Sequence, residues 1–279
     1  MERKALKLVN GYQTTDGAGV NLVRVLSRNT VADFDPILML DSFDSQNPRD
    51  YIAGFPLHPH RGIETISYIY RGKMVHKDSL GNEDMITDGE VQWMTAGSGI
   101  MHEEKLPASE RMLGVQLWLN LASKDKMAAP VYLAIKSEEI KEIPLANGHL
   151  RLLAGSYENH RGHQSKYQPL DYYDIHLNPH STLTIMTGKE RAIMVFTLVG
   201  SILIGDVLIK EKTAVKLSEG GSLTIKTTEQ NAQILYVSST ALNEPVAWGG
   251  PIVMNTREEL YKAFRDLDEV TFLKQGITY

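Results

Sequence analysis

The sequence predicts an all-β protein that consists of two β-barrels in tandem with a short C-terminal helix. Its 279 residues are long for one compact domain and suit two domains of about 130 to 150 residues each. Short runs rich in β-branched and aromatic residues recur through most of the chain, and Gly, Asn and Asp separate them. This alternation of strand and turn signals is typical of a β-sandwich or β-barrel.

A weak internal repeat indicates two copies of one barrel. The stretch TISYIYRGKMVHKD at 65–78 can be aligned with IMVFTLVGSILIGD at 193–206, which places glycine on glycine and aspartate on aspartate. A second match, ITDGEVQWM at 86–94 with LSEGGSLTI at 217–225, follows in the same order. Two copies of the same barrel would account for the length of the chain.

The boundary between the copies is expected in the segment SEEIKEIPLANG, at 137–148. Charged residues, Pro and Gly cluster there, which is typical of a linker. The sequence therefore predicts a first domain over residues 1–138 and a second domain over residues 139–279.

One segment of the second half, AIMVFTLVGSILIGDVLI at 192–209, is apolar for nearly the length of a membrane span. Gly200 and Ser201 interrupt it, and so do Gly205 and Asp206. Because the segment is also rich in β-branched residues, it predicts two buried strands joined by a tight turn and no membrane helix.

The best helical signal lies near the C-terminus. Thr256 and Glu259 have the spacing of a capping box, in which each side chain bonds the backbone amide of the other residue. In the following run, Leu260, Phe264 and Leu267 fall on one helical face. The sequence predicts a short helix here that packs on a sheet.

Composition excludes several classes of function. The formal net charge is −5 and the chain has no Lys/Arg-rich run, which argues against direct binding to nucleic acid. The chain has no cysteine, so disulfides, zinc sites with thiolate ligands and a cysteine nucleophile are excluded. The N-terminal sequence lacks the apolar region of a signal peptide, and we expect a cytoplasmic protein with no membrane association.

Two short motifs have the spacing of metal ligands. His58 and His60 lie two positions apart in HPHRG, and His102 and Glu104 lie two positions apart in HEE. Residues i and i+2 of a strand point to the same face, so two neighbouring strands bring all four side chains together. A single HxH pair is more often a polar turn, but the second pair favours a metal site. Three imidazoles and one carboxylate suit Fe(II), Mn(II), Ni(II), Cu(II) or Zn(II), and leave coordination positions open.

The stretch from Phe55 to Leu106, which contains both pairs, resembles the signature of the pirin family, whose members have two tandem cupin (β-barrel or jelly-roll) domains. The resemblance continues in GVQLWLNL at 114–121 and in EPVAWGGPIVMNTREEL at 244–260. It implies one iron, most simply Fe(II), in the N-terminal cupin domain. Carried over to this sequence, the metal ligands are His58, His60, His102 and Glu104.

Two departures from the general cupin pattern have consequences. Glu64 occupies the position where ordinary cupins have their carboxylate ligand, whereas the resemblance to pirins assigns the carboxylate to the second motif. We expect Glu64 to support the ligands by hydrogen bonding or to be a structural carboxylate. In the second copy, Met186 and Gly188 stand where the repeat would place His58 and His60. The C-terminal cupin domain is therefore expected to lack metal.

The reaction that the resemblance implies is the opening of the quercetin ring by dioxygen with release of carbon monoxide, a quercetin 2,3-dioxygenase reaction. Glu104 is the candidate catalytic base, since a carboxylate ligand can accept the proton of the flavonol hydroxyl. Phe55, Arg61 and Gln116 are candidate contacts to a flat aromatic or enolic substrate. Packing, a surface cation and a strand hydrogen bond, respectively, are the ordinary alternatives for these three residues.

A second class of function stays open. The same site suits a non-enzymatic regulator whose metal redox state alters a surface that binds a partner protein, as the resemblance to pirins also implies. A third class, a sugar isomerase or epimerase of the cupin type, would need a Lys- and Arg-rich pocket, and the sequence shows little of one.

Overall fold

The structure is a computed structural model, and it describes residues 1–274. In the first half, strands are separated by short turns and by one helical turn, α1 (Val31–Phe34). The strands are β1 (Ala5–Asn10), β2 (Tyr12–Asp16), β3 (Val20–Leu26), β4 (Ile37–Ser45), β5 (Phe55–His60), β6 (Ile63–Arg71), β7 (Met74–Asp78), β8 (Glu83–Ile86), β9 (Glu90–Thr95), β10 (Ile100–Lys105), β11 (Met112–Asn120) and β12 (Val131–Ile135).

The second half repeats this pattern and ends in the helix α2 (Arg257–Asp268). Its strands are β13 (Lys141–Leu145), β14 (Gly148–Ala154), β15 (Ser156–Tyr157), β16 (His160–Arg161), β17 (Asp171–Leu177), β18 (Thr182–Met186), β19 (Ala192–Val199), β20 (Ile202–Ile204), β21 (Val207–Ile209), β22 (Thr213–Leu217), β23 (Ser222–Thr227), β24 (Ala232–Ser239), β25 (Ala247–Gly249) and β26 (Ile252–Met254). Single 3-10 turns lie at Arg28–Thr30, Pro48–Asp50, Ser123–Asp125 and Ser137–Glu139. The predicted all-β class is confirmed.

The chain divides into two compact units, each built from more than one segment. The N-terminal unit comprises Gln13–Arg24, Ile37–Ser137 and the chain from Leu242 onward. The C-terminal unit comprises Met1–Tyr12, Val25–Pro36 and Glu138–Ala241. The simple division into residues 1–138 and 139–279 stays a prediction about independent domains, because each compact unit also includes segments from the other half of the sequence.

The N-terminal unit has a seven-stranded sheet in the order β12-β9-β6-β11-β4-β3-β2 and a four-stranded sheet in the order β5-β10-β7-β8. Strands β6, β9 and β11 are buried on both faces over most of their length, which fits their position inside the larger sheet. A cluster of buried apolar side chains, including Phe43, Ile69, Met74 and Met112, forms part of the core of this unit.

The four-stranded sheet positions both ligand pairs. Strand β10 pairs antiparallel with β5, and His102 lies opposite His58 in this register. The alternation of buried and partly exposed residues along β10 turns His102 and Glu104 to the same inner face. The HxH pair and His102 therefore meet on neighbouring strands, whereas Glu104 lies opposite Phe55, beyond a shift in the register.

The C-terminal unit has the same arrangement, with sheets in the orders β1-β22-β19-β24-β17-β14-β13 and β18-β23-β20-β21. Its core is a larger apolar cluster that includes Leu150, Ile175, Val195 and Ile234. The N-terminal strand β1 lies at one edge of its seven-stranded sheet, where Leu8 is opposite Val215. Local sequence gives no signal for this pairing.

The apolar segment 192–209 forms the strands β19, β20 and β21. The predicted strand character is confirmed, but the predicted number of two strands is wrong, because Gly200 and Gly205 lie in two separate turns that divide the segment into three strands. Val207 and Leu208 of β21 are exposed. Among residues 1–274, no helix is long and apolar enough to span a membrane.

The predicted C-terminal helix is also confirmed. Thr256 is the N-cap residue of α2, its hydroxyl accepts a hydrogen bond from the Glu259 amide, and the Glu259 carboxylate accepts one from the Thr256 amide. Leu260 and Leu267 pack on a buried apolar cluster that includes Ile252 and Met254 of β26. The helix and the hairpin β25-β26 are thus part of the N-terminal unit.

Candidate metal centre

Three of the four predicted ligands form one cluster. The Nε2 atom of His58 lies 3.0 Å from Nε2 of His60 and 3.0 Å from Nε2 of His102. The candidate ligand atoms of these three residues all lie within 4.8 Å of one another, and in the described part of the chain they form the group that could hold a metal ion. The three rings approach at inclined angles, with centroids 4.4 to 5.1 Å apart.

The opposite nitrogen of each ring has a partner of its own. Nδ1 of His58 donates to the Pro56 carbonyl at 2.8 Å, and Nδ1 of His60 donates to the Pro251 carbonyl at 3.0 Å. A carbonyl oxygen only accepts, so both rings carry their proton on Nδ1. Nδ1 of His102 lies 3.4 Å from Nδ1 of His76.

Burial keeps the inner imidazoles neutral. His60 and His102 are fully enclosed, with 2 % and 0 % of their surface exposed. Loss of hydration, together with the neighbouring His58, lowers the pKa of His60 to about 3. The same two causes, with His60 and His76, lower the pKa of His102 well below its usual range. Neutral imidazole is the form that binds a metal ion.

The geometry fits a cation. Lone pairs on nitrogen atoms 3.0 Å apart repel one another unless a positive charge lies between them. Two imidazole nitrogens that bind one metal at right angles, at roughly 2.1 Å each, are about 3.0 Å apart. The observed separation therefore matches a set of neighbouring ligands on a six-coordinate ion.

Glu104 lies beside this cluster but not within it. Its carboxylate is buried and accepts hydrogen bonds from the side-chain amides of Gln92, at 2.7 Å, and Gln116, at 3.1 and 3.2 Å. It follows His102 by two positions on β10 and lies opposite Phe55 of β5. As the fourth ligand and catalytic base, Glu104 stays a proposal, since its contacts are with the two glutamines.

Gln116 and Phe55, two predicted substrate contacts, each contact other side chains of the N-terminal unit. Gln116 donates to Glu104 and to Ser67, which makes it a support of the carboxylate. Phe55 is half-buried, and its ring meets the edge of Phe43 at 6.2 Å. Phe55 and Gln116 as substrate contacts stay predictions.

Glu64 is buried on β6, where one carboxylate oxygen accepts from the Trp93 indole and the Thr95 hydroxyl. Loss of hydration raises the pKa of its carboxyl group above the usual value, although the hydrogen bonds from Thr95 and Trp93 oppose the shift. These contacts favour a carboxyl group that supports β6 and β9 without binding metal.

Arg61 is buried in the N-terminal unit. Its guanidinium donates to the carbonyls of Ser98 and Phe272 and to the carboxylate of Asp266. These contacts satisfy the buried cation. The alternative of a surface cation is wrong, because only 2 % of Arg61 is exposed, and Arg61 as a substrate contact stays a prediction.

Sequence reasoning missed several polar groups around the cluster. His76 and Asp78, on β7, are buried beside His102. The indole NH of Trp118, whose ring meets His60 with centroids 5.0 Å apart, is buried without a hydrogen-bond partner, and so is the Tyr132 hydroxyl. The period-two spacing of His76 and Asp78 was a usable signal, because it places both side chains on one strand face.

Comparison with known proteins supports the sequence resemblance. A family model described as Pirin matches residues 19–119, and one described as Pirin C-terminal cupin domain matches residues 172–273. A Pseudomonas aeruginosa protein with the provisional name quercetin 2,3-dioxygenase is 39% identical over 275 residues, which cover 95% of this chain and 96% of that protein. Human pirin is 33% identical over 271 residues, covering 95% of this chain and 92% of pirin.

A solved structure described as quercetin 2,3-dioxygenase from Acinetobacter baumannii superposes with a TM-score of 0.90 and 32% sequence identity, covering 98% of this chain and 99% of that one. The family models match both halves of the chain, and the relatives match nearly all of it. This chain therefore belongs to the pirin family and has its two cupin domains.

Proposed function

We propose that this protein is an Fe(II)-dependent dioxygenase that opens the ring of quercetin or a related flavonol and releases carbon monoxide. The observation that carries the proposal is the convergence of three imidazole nitrogens beside a buried carboxylate. Three imidazoles hold a divalent ion on one side and leave positions open for other ligands. Relatives that bear the name quercetin 2,3-dioxygenase support the choice of reaction.

The metal and the protein would have separate tasks. The iron, when bound by His58, His60, His102 and Glu104, would supply the redox chemistry between flavonol and dioxygen. Mn(II), Ni(II), Cu(II) and Zn(II) suit the same donor atoms, so the metal is part of the proposal. The side chains of the protein hold the ion, exclude water and move the proton of the substrate.

Glu104 is the proposed base. A flavonol reacts with dioxygen as its anion, so the proton of the 3-hydroxyl group must leave. The Glu104 carboxylate is the anionic group on the same strand face as His102, and amide donors of Gln92 and Gln116 hold it in place. An amide donates hydrogen bonds without giving up a proton, so the carboxylate stays free to accept one.

The surroundings of the cluster suit a flat aromatic ligand with hydroxyl and carbonyl groups. Phe55 lies opposite Glu104 in the strand register and is partly exposed, which gives an aromatic surface next to the proposed base. Trp118 lies against His60 and has a buried indole NH without a partner. Buried donors without partners are uncommon in proteins, and a ligand oxygen would satisfy this one.

The test is product formation by the iron-loaded full-length protein. The protein is loaded with Fe(II) without oxygen, mixed with quercetin and then exposed to oxygen. We expect loss of the flavonol absorbance, consumption of one dioxygen per flavonol and release of one carbon monoxide, and no such reaction with His60→Ala. An iron-loaded wild-type protein that leaves a panel of flavonols and other enolic compounds unchanged would contradict the enzyme proposal and favour the regulator that binds a partner protein.

A further inference from the structure

His102 differs from the other two ligands of the cluster, because a side chain faces its Nδ1 atom and no backbone carbonyl does so. Nδ1 of His58 and Nδ1 of His60 each face a backbone carbonyl. Nδ1 of His102 faces Nδ1 of His76 at 3.4 Å, and Nε2 of His76 lies 2.9 Å from Oδ2 of Asp78. The side chains of His102, His76 and Asp78 are buried, with 0 to 3 % of their surface exposed.

Asp78 is held as a carboxylate by several donors. Its Oδ1 atom accepts from the backbone amides of Leu80, at 2.9 Å, and Asn82, at 3.1 Å. Its Oδ2 atom accepts from the Asn82 side chain at 2.9 Å and also faces His76. A carboxylate only accepts, so His76 must carry a proton on Nε2.

The proton positions of the two histidines then follow. When the proton that faces Asp78 on Nε2 is the single ring proton of His76, its Nδ1 atom has a lone pair. The Nδ1 atom of His102, which faces that lone pair, therefore carries the proton of the His102 ring. Nε2 of His102, on the other side of the ring, is left with its lone pair toward His58.

We propose that Asp78 and His76 are positioning residues that fix the tautomer of His102 and so present its Nε2 lone pair to a divalent metal ion. The Tyr132 ring stacks on His76, with centroids 4.1 Å apart and planes 11° apart, and holds the His76 ring in place. The proposal rests on the metal-binding part of the proposed function and is independent of the reaction.

Replacement of Asp78 by asparagine should exchange the protonated and unprotonated ring nitrogens of His76 and of His102. The asparagine oxygen keeps the bonds from the Leu80 and Asn82 amides, so its NH₂ group takes the place of Oδ2. That group donates, so His76 must accept on Nε2 and carry its proton on Nδ1. His102 must then accept on Nδ1 and carry its proton on Nε2, where the metal would bind.

The C-terminal unit offers a matched control. Asp174 and His176 also lie two positions apart on one strand, β17, and Nε2 of His176 is 2.8 Å from Oδ2 of Asp174. Asp174 is buried and also accepts from Gln233. Asp174→Asn changes the same kind of pair, but none of these residues belongs to the group around His58.

The experiment combines two measurements on the full-length protein. Long-range nitrogen–proton NMR of the metal-free protein reports which ring nitrogen of His102 carries the proton. Competition with a chelator gives the affinity for Ni(II), which is stable in air. We expect Asp78→Asn to move the His102 proton to Nε2 and to weaken Ni(II) binding about 10- to 100-fold, and Asp174→Asn to change neither.

A second pair of variants decides the matter if Asp78→Asn does not fold. His76→Gln keeps an oxygen that accepts from His102 and an amide that donates to Asp78, whereas His76→Leu has neither. We expect near wild-type Ni(II) affinity with Gln and the weaker binding with Leu. An unchanged His102 tautomer in Asp78→Asn, or equal Ni(II) affinity in the Gln and Leu variants, would overturn the proposal, whether or not the protein cleaves flavonols.

Discussion

Arg61 and Asp266 lie 205 residues apart in the sequence, and their side chains form a buried ion pair at 2.8 Å. The Arg61 guanidinium also lies over the Phe272 ring, 4.2 Å from its centroid. Arg61 directly follows His60, whose Nδ1 donates to the Pro251 carbonyl. The segment 251–272 is thus bound to the end of β5, the strand that contributes two of the three clustered imidazoles, and to the residue that follows it.

Asp266→Asn should destabilise the protein by about 3 kcal/mol at neutral pH, because it leaves the buried Arg61 charge without its partner. Burial alone would raise the pKa of Asp266, but hydrogen bonds from Arg61, Lys262 and Lys274 more than offset this and hold the pKa well below the usual 3.8 of an aspartate. The stabilisation is therefore complete above that value and is lost as the pH falls below it.

Urea unfolding of wild type and Asp266→Asn at several pH values measures this difference. We expect a constant gap in unfolding free energy above about pH 5 that narrows as the unfolded chain takes up its proton near pH 4. A control is Asp268→Asn, at an exposed position at the end of the same helix. A gap that is the same at pH 7 and pH 3 would show that Asp266 does not act through its charge.

Gly62→Ala should destabilise the protein by about 3 kcal/mol, since it combines an unfavourable backbone conformation with a clash. Gly62 has a φ of +80°, and a Cβ atom there would lie 1.9 Å from the Val253 carbonyl oxygen. That carbonyl also accepts from Lys126, so it has little freedom to move.

Gly81→Ala is the matched control for this variant. Gly81 has a φ of +87°, but a Cβ atom there would meet nothing within 4 Å. We expect a cost of about 1 kcal/mol from the backbone alone. If thermal unfolding shows equal losses for both variants, the close approach of Val253 to Gly62 has no energetic consequence.

The ligand pairs could be predicted because their geometry is local. In a strand, residues i and i+2 lie on the same face, so His58 lies on one face with His60, and His102 with Glu104. Only the pairing of the two strands had to be assumed. The capping box of Thr256 and Glu259 was readable for the same reason. Each of these signals lies within four residues.

The rest depends on contacts between distant residues. Arg61 in HPHRG was a candidate substrate contact, but its partners Asp266 and Phe272 lie more than 200 residues away. The hydrogen-bonded chain from Asp78 through His76 to His102 could be recognised only from the register of β7 against β10, which places Asp78 opposite His102. Register and pairing over such distances are set by tertiary packing, and a single sequence carries no local signal for them.

His60→Ala and His102→Ala should each remove most of the bound metal and leave the protein folded. Two imidazoles remain in each variant, and the barrel is held by the burial of its apolar side chains. Elemental analysis of the full-length protein should give about one metal ion per chain for wild type and for the control His176→Ala, whose histidine lies in the C-terminal unit. Loss of the fold in metal-free wild type would show that the metal is structural.

Glu104→Gln should retain metal but lose flavonol cleavage. Three imidazoles still hold the ion, whereas a neutral amide cannot accept the proton of the substrate. In wild type the side-chain amides of Gln92 and Gln116 donate to the Glu104 carboxylate. The glutamine of the variant places its own NH₂ donor next to these donors. We expect turnover per bound iron to fall by about 100-fold or more.

Glu103→Gln, at the neighbouring, outward-facing position of the strand, is the control. Equal turnover per iron in Glu104→Gln and wild type would show that Glu104 is at most a ligand and that another group accepts the proton.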